Sequence, residues 1–212
     1  MRGRWGTQIL LAVALCAVTA RGASAALIFS DNFNGENGGV GILNYGAFAN
    51  FKVTLGSVDL IGNGFFDFLP GNGLYVDLDG STGDAGVMTK SVAMALGTGA
   101  YALSFDLAGN RRGGTDDISI NVFGINSASY GSLLLAPLLS TSPFINYTIP
   151  FVLGAPDAGV QFSFSNAGGD NIGALLDDVT VNSVNSVPEP TTLVLLGSGV
   201  VGMVLRRRHA AR

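Results

Sequence analysis

Carboxylates are the only side chains in the central part of this chain with catalytic or strong ligating capacity. The single cysteine, Cys16, the single histidine, His209, and the single tryptophan, Trp5, all lie near the two ends. Residues 26–187 therefore offer no thiol or imidazole for nucleophilic or general-base work, no His/Cys site for a transition metal, and no disulfide. Ser-His-Asp and Cys-His mechanisms are excluded there. A carboxylate-only enzyme such as a glycoside hydrolase would need two acids facing each other across a cleft at about 5–9.5 Å. About 160 residues is a small frame for such a cleft, so a non-catalytic body is expected.

Two stretches gather the suggestive acids. Residues 168–181 read Gly-Gly-Asp-Asn-Ile-Gly-Ala-Leu-Leu-Asp-Asp-Val-Thr-Val, a Gly-rich loop leading into a final strand that carries Asp177 and Asp178 side by side. Neighbours in a strand point to opposite faces, so one of the pair faces solvent while the other turns toward the core or the sheet end. A carboxylate there is costly unless it is paired or bound to a cation. Residues 31–39, Asp-Asn-Phe-Asn-Gly-Glu-Asn-Gly-Gly, form a second polar segment after the first strand.

Other candidates read as surface features. Asp77-x-Asp79 before Gly80-Ser81-Thr82-Gly83-Asp84 is loosely similar to a calcium loop, but it lacks the fifth-position acid and the closing glutamate of an EF-hand. It reads as the solvated face of a strand entering a turn. Asp116-Asp117 beside Arg111-Arg112 suggests an ion cluster in a loop. Asn110 to Gly114 either grips a sugar hydroxyl or an acidic glycan, or is a decorated hairpin turn. Tyr45, Tyr75 and Tyr130 are the candidates for a sugar-stacking platform, to which Arg111 and Arg112 would add hydrogen bonds. Asn146-Tyr147-Thr148 matches a glycosylation sequon, a match of little weight.

The elements that must position these groups are β throughout. Alternating or apolar segments bounded by turn residues mark strands at 26–30, 51–55, 57–61, 74–79, 86–94, 99–107, 117–123, 145–153, 159–165 and 174–182. In residues 74–79, Val76 and Leu78 take one face and Tyr75, Asp77 and Asp79 the other. Residues 133–139, Leu-Leu-Leu-Ala-Pro-Leu-Leu, break the pattern and read as a short helix or an apolar loop. Nine or so short strands at this spacing predict an all-β fold, a single two-sheet sandwich or jelly roll over residues 26–181. All 18 tyrosines and phenylalanines fall in this body. Residues 182–187 read as a polar linker.

Charge narrows the partners. Residues 26–187 carry 14 acidic and four basic side chains (Lys52, Lys90, Arg111, Arg112), a net charge of −10. Nucleic acid and anionic membrane require a basic footprint and are not expected partners. Divalent cations suit such a surface.

Both ends read as addresses. Arg2 and Arg4, the apolar run 9–18 and Ala23-Ser24-Ala25 make a secretory signal peptide over residues 1–25, with cleavage after Ala25 or Ala26. At the other end stand Val187, Pro188-Glu189-Pro190, an uncharged run at 191–205 and Arg206-Arg207-Arg208. The prolines delay a helix until after Pro190. Fifteen residues make a helix of about 22 Å, short for a hydrocarbon core of about 30 Å. The arginines place its end on the cytoplasmic face.

This order resembles the PEP-CTERM sorting signal of Gram-negative bacteria, over residues 188–212. The resemblance implies processing by an exosortase near Pro188-Glu189-Pro190 and membrane attachment through the C-terminal helix before processing. It also implies an inner-membrane precursor with a periplasmic body, and a mature protein at the cell surface or in an exopolysaccharide or biofilm matrix. The Leu176-Asp177-Asp178-Val179 ending resembles the close of jelly-roll carbohydrate-binding modules and galactose-binding-like domains. That resemblance implies a structural Ca²⁺ held by Asp177 or Asp178 with Asp31, Asn32 or Glu36. Three functions follow: a matrix module, a glycan-binding module, and, least favoured, the carboxylate-only enzyme.

Overall fold

A computed structural model describes residues 25–184, and Ala25–Val184 forms one compact unit. The signal peptide and the sorting segment, with Pro188, Glu189, Pro190 and Arg206 to Arg208, lie outside the described residues. Among the described residues no helix is long and apolar enough to cross a membrane.

Twelve strands make two antiparallel sheets. They are β1 (Leu27–Asp31), β2 (Phe51–Leu55), β3 (Asp59–Gly62), β4 (Leu74–Asp77), β5 (Val87–Lys90), β6 (Met94–Leu96), β7 (Gly99–Ala108), β8 (Thr115–Phe123), β9 (Ser129–Leu139), β10 (Ile145–Leu153), β11 (Asp157–Ala167) and β12 (Leu175–Val184). The first sheet runs β10-β7-β12-β4-β3, with β1 also on β12. The second runs β2-β5-β11-β8-β9, with β6 also on β11. The all-β two-sheet sandwich expected from the sequence is what the chain adopts.

The sequence builds this core by alternation. Tyr101, Leu103, Phe105 and Leu107 of β7 point inward, as do Ile118, Ile120 and Val122 of β8 and Val160, Phe162 and Phe164 of β11. Antiparallel sheets with one buried face show this period of two. Phenylalanines stitch the layers: Phe29 and Phe51 meet edge to face at 6.0 Å, and Phe105 and Phe164 at 5.1 Å.

Several boundaries differ from the sequence reading. Residues 133–139 are neither helix nor loop but the second half of β9, paired to β8. Leu138 is buried, Leu133 and Leu135 are half-buried, and Leu134 and Leu139 are exposed, so the alternation is hidden because leucine occupies both faces. The register of β8 against β9 shifts between Asp116 and Ile118, opposite Ala136 and Pro137, and Pro137 lies on an edge strand, where a missing N–H is tolerated. Residues 86–94 divide into β5 and β6. The last strand reaches Asn182 as expected and runs on through Ser183 and Val184, expected in the linker, because they pair with Tyr101 and Ala100 of β7.

The loop joining β3 to β4 folds over the outer face of the first sheet. Its Phe65, Phe68 and Leu69, together with Phe144, cover a second apolar cluster of Ile61, Tyr75, Ala108 and Leu175.

Candidate functional site

β12 pairs with β7 on one side and with β1 and β4 on the other, so the first and last strands are neighbours. Three steps on β12, from Asp177 to Thr180, match only two on β7, from Asp106 to Ser104. The extra residue is a β-bulge. Asp178 sits in it with φ 47°, a left-handed conformation that aspartate tolerates better than most residues. The bulge exposes Asp178 and leaves Asp177 5 % exposed, so the expected division of the pair holds.

Beside the bulge opens a cleft of about 480 Å³ lined by Ser30, Asp31, Asn32, Gly35, Glu36, Ala49, Asn50, Asp178 and Thr180. Four of the five residues singled out as calcium ligands, Asp31, Asn32, Glu36 and Asp178, share this lining. Asp177 does not. Asp31 takes the N–H of Phe33 on Oδ1 at 2.9 Å and the Asn50 amide on Oδ2 at 3.0 Å. Glu36 accepts the N–H of Ala49 on Oε1 at 2.9 Å and the Tyr45 hydroxyl on Oε2 at 3.3 Å. Each of these oxygens keeps a second lone pair for a ligand. No three acidic side chains among the described residues converge into a closed metal cluster, so a cation here would draw on carbonyls and water as well.

Acidic groups crowd the bulge. Burial first, then the charges of Asp178, Asp106 and Asp31, push the Asp177 carboxyl up to about 8, although the N–H of Asp178 donates to its Oδ1 at 2.8 Å. Burial and Asp106 raise Asp178 as well. Asp106 was not singled out from the sequence. It lies on β7 opposite Asp177, and only the register brings the two together. Asn50 was missed for a similar reason, since its bond to Asp31 spans 19 residues.

At the far end of β4 lies a second polar cluster that the sequence placed in solvent. Asp77 and Asp79 do share a face with Tyr75, but that face is covered: Tyr75 and Asp79 are fully buried and Asp77 is 2 % exposed. Arg112 reaches in from the β7–β8 turn to form the one salt bridge among the described residues, from its Nη2 to Asp77 Oδ2. Its Nη1 donates to the Asn171 carbonyl at 2.7 Å, and its guanidinium lies 5.0 Å from the Phe68 ring centroid. The expected pairing of Arg111 and Arg112 with Asp116 and Asp117 is therefore replaced. Asp116 is buried and accepts the Asn110 amide at 2.8 Å, while Arg111 donates to the Thr141 carbonyl.

The tyrosine platform is corrected too. Tyr75 has no exposed face. Its hydroxyl donates to Asp67 at 3.1 Å and accepts the N–H of Leu69 at 3.0 Å, pinning the covering loop. Tyr45 is half-buried against Phe48, 4.6 Å between centroids, at the edge of the cleft. Tyr130 is half-buried and donates to Asp157 at 2.6 Å, remote from Tyr45 in sequence and pairing. Tyr75→Phe is expected to cost about 1 kcal/mol by leaving two half-buried partners, the Asp67 carboxylate and the Leu69 N–H, without the hydroxyl. Urea unfolding would show it, and an unchanged midpoint would contradict the pinning role.

Residues 186–208 match the family model of the PEP-CTERM protein-sorting motif. No protein of curated function matches the chain. Among solved structures, a cyclase from Fischerella sp. TAU is similar, with TM-score 0.52 and 13 % identity over 76 % of this chain and 98 % of that one. The CBM22-1 xylan-binding domain of Paenibacillus barcinonensis Xyn10C gives 0.44 and 10 %, over 77 % and 97 %. The CBM22-1–GH10 modules of Clostridium thermocellum Xyn10B, solved with xylohexaose, give 0.46 and 15 %, over 76 % of this chain and 29 % of that xylanase chain. These likenesses are of fold. A likeness of fold does not choose between binding and catalysis.

Proposed function

We propose that the protein is an exported, exosortase-processed component of the cell surface or exopolysaccharide matrix, whose β-sandwich is a non-catalytic module. The sorting motif at residues 186–208 carries this reading. The residue inventory supports the second half of it, because the sandwich contains no histidine or cysteine. Processing is expected near Pro188-Glu189-Pro190. Mass spectrometry of the matrix fraction should find the protein without its C-terminal segment. Mature protein there with residues 187–212 intact would overturn the routing.

One observation favours a second reading, a calcium-dependent glycan-binding module. The cleft beside the bulge is in the size range of small-molecule sites and is lined mostly by residues that carry carboxylates, amides and hydroxyls. Asp31, Asn32, Glu36 and Asp178 would hold a Ca²⁺, which would lower the cost of their shared negative charge. With calcium, the protein is expected to sediment with the exopolysaccharide of its host and to melt higher than with a chelator. Calcium-dependent binding lost in Asp178→Asn supports this reading. A raised melting temperature without binding leaves a matrix module with structural calcium, and no response to either ligand removes the second reading.

A further inference from the structure

The polar end of the sandwich beyond β4 holds more buried carboxyl groups than its one cation can pair. Asp59, Asp77, Asp79 and Asp116 are all 5 % exposed or less. Three of them are answered. Asp59 accepts the N–H groups of Asn44 and Ser81 and the Ser81 hydroxyl at 2.7 Å. Asp77 accepts the N–H groups of Asp79 and Gly173 and pairs with Arg112. Asp116 accepts the amide of Asn110.

Asp79 is different. Its Oδ2 accepts the N–H groups of Gly169 at 2.7 Å and Asp170 at 3.2 Å, but its Oδ1 is buried with no hydrogen-bond partner. Beside it, Asn166 is 7 % exposed and its Nδ2 is the only other such side-chain atom among the described residues. Asp79 and Asn166 meet at Gly168: a Cβ there would fall 2.6 Å from Asp79 Oδ2 and 2.9 Å from Asn166 Nδ2. The Asn166 amide also faces the Asp116 carboxyl, whose own affinity for a proton is raised by burial.

A buried carboxylate oxygen without a donor costs free energy that a paired or metal-bound one does not. With Asp77 paired to Arg112, the Asp79 and Asp116 carboxyls both lie near the Asn166 amide with no cationic side chain paired to either. We propose that Asp79 Oδ1 ligates a divalent cation, Ca²⁺ by its oxygen-rich surroundings, at a site separate from the cleft beside the bulge. Asn166 joins it by a half-turn of its carboxamide. The turn gives up the 3.5 Å contact of its Oδ1 with the N–H of Ala174 and its amide's donation toward Asp116, whose carboxyl then faces the ion instead. No three acids converge here, and main-chain carbonyls and water complete the shell, as calcium readily allows. The ion would tie β4, the end of β11 and the 168–173 loop together. Gly168 is fixed by the same crowding.

The test is equilibrium dialysis of the full chain in mild detergent, stripped with chelator and returned to Ca²⁺ alone. Asp79→Asn is expected to bind one calcium fewer than the parent, while Asp178→Asn keeps that ion. The two variants separate this site from the cleft, so either reading can fail alone. Equal stoichiometry in the parent and Asp79→Asn, or a parent that binds no calcium, overturns the proposal. Should Asp79→Asn not fold, anomalous diffraction from parent crystals grown in Ca²⁺ decides. A peak about 2.3–2.6 Å from Asp79 Oδ1 supports the site. A water at hydrogen-bond length there, or empty density, overturns it.

Discussion

Phe51→Ala is expected to destabilise the sandwich by about 3–5 kcal/mol, the cost of emptying a packed aromatic site. Phe51 is 1 % exposed and touches four other rings: Phe33 at 5.7 Å, Phe162 at 5.9 Å, Phe29 at 6.0 Å and Phe164 at 6.5 Å between centroids. It belongs to the second sheet, while Phe29 belongs to the first and Phe33 to the loop that follows it, so the cavity would open between layers. A domain this size has about 5–15 kcal/mol in all, so the variant loses a large share of it. At about 2–4 °C per kcal/mol the melting temperature should fall by roughly 10 °C. A urea midpoint within error of the parent would show that the layers close without this ring.

The second large effect depends on pH. Burial pushes the Asp77 carboxyl up to about 7 from its ordinary 3.8, with Asp59 adding to the rise, and Arg112 and the N–H of Asp79 oppose it. A carboxyl whose folded pKa is raised holds its proton more tightly when folded. Its contribution to stability is complete below the unfolded value, near 3.8, and is lost as pH rises through the folded value, near 7. Asp177, at about 8, acts in the same direction. The calcium-free protein is therefore expected to be more stable at pH 5 than at pH 8.5. Arg112→Ala should steepen that slope. At pH 8.5 it strands an ionised buried carboxylate and should cost about 3 kcal/mol, the low end for breaking a buried pair because the Arg112 side chain is 28 % exposed. At pH 5 Asp77 is protonated in the variant and most of the loss should disappear. A loss independent of pH would mean that Arg112 acts through its contacts with Asn171 and Phe68 instead.

How much of this was legible in the sequence depends on the distance of the contact involved. The sandwich was legible because period-two alternation is local: β7 and β11 announce their inward faces residue by residue. The cleft was partly legible, since adjacency of the first and last strands places Asp31, Asn32 and Glu36 beside Asp178. The bulge that separates Asp177 from Asp178 was not, because it exists only in the register of β12 against β7. The alternation of β4 put Tyr75, Asp77 and Asp79 on a common face, which is correct. Nothing local shows that the Phe65 to Leu69 loop returns to cover that face, or that Arg112, 35 residues from Asp77, becomes its counter-ion. β9 was obscured because leucine fills its solvent side as well as its core side.

The place of β12 has a mechanical consequence. Any covalent tether beyond Val184 pulls along a strand held on both flanks, by β7 on one side and by β1 and β4 on the other, all antiparallel to it. Tension along that axis loads the flanking hydrogen bonds in parallel, in shear, where an edge strand would peel away one bond at a time. Ala26 reinforces the loaded end through its N–H to the Ser183 hydroxyl at 3.0 Å and its carbonyl to the Ser183 N–H at 2.9 Å. A module moored at its C-terminus would thus resist being drawn out, and its lifetime under drag would be set by the rate of forced unfolding rather than by its equilibrium stability.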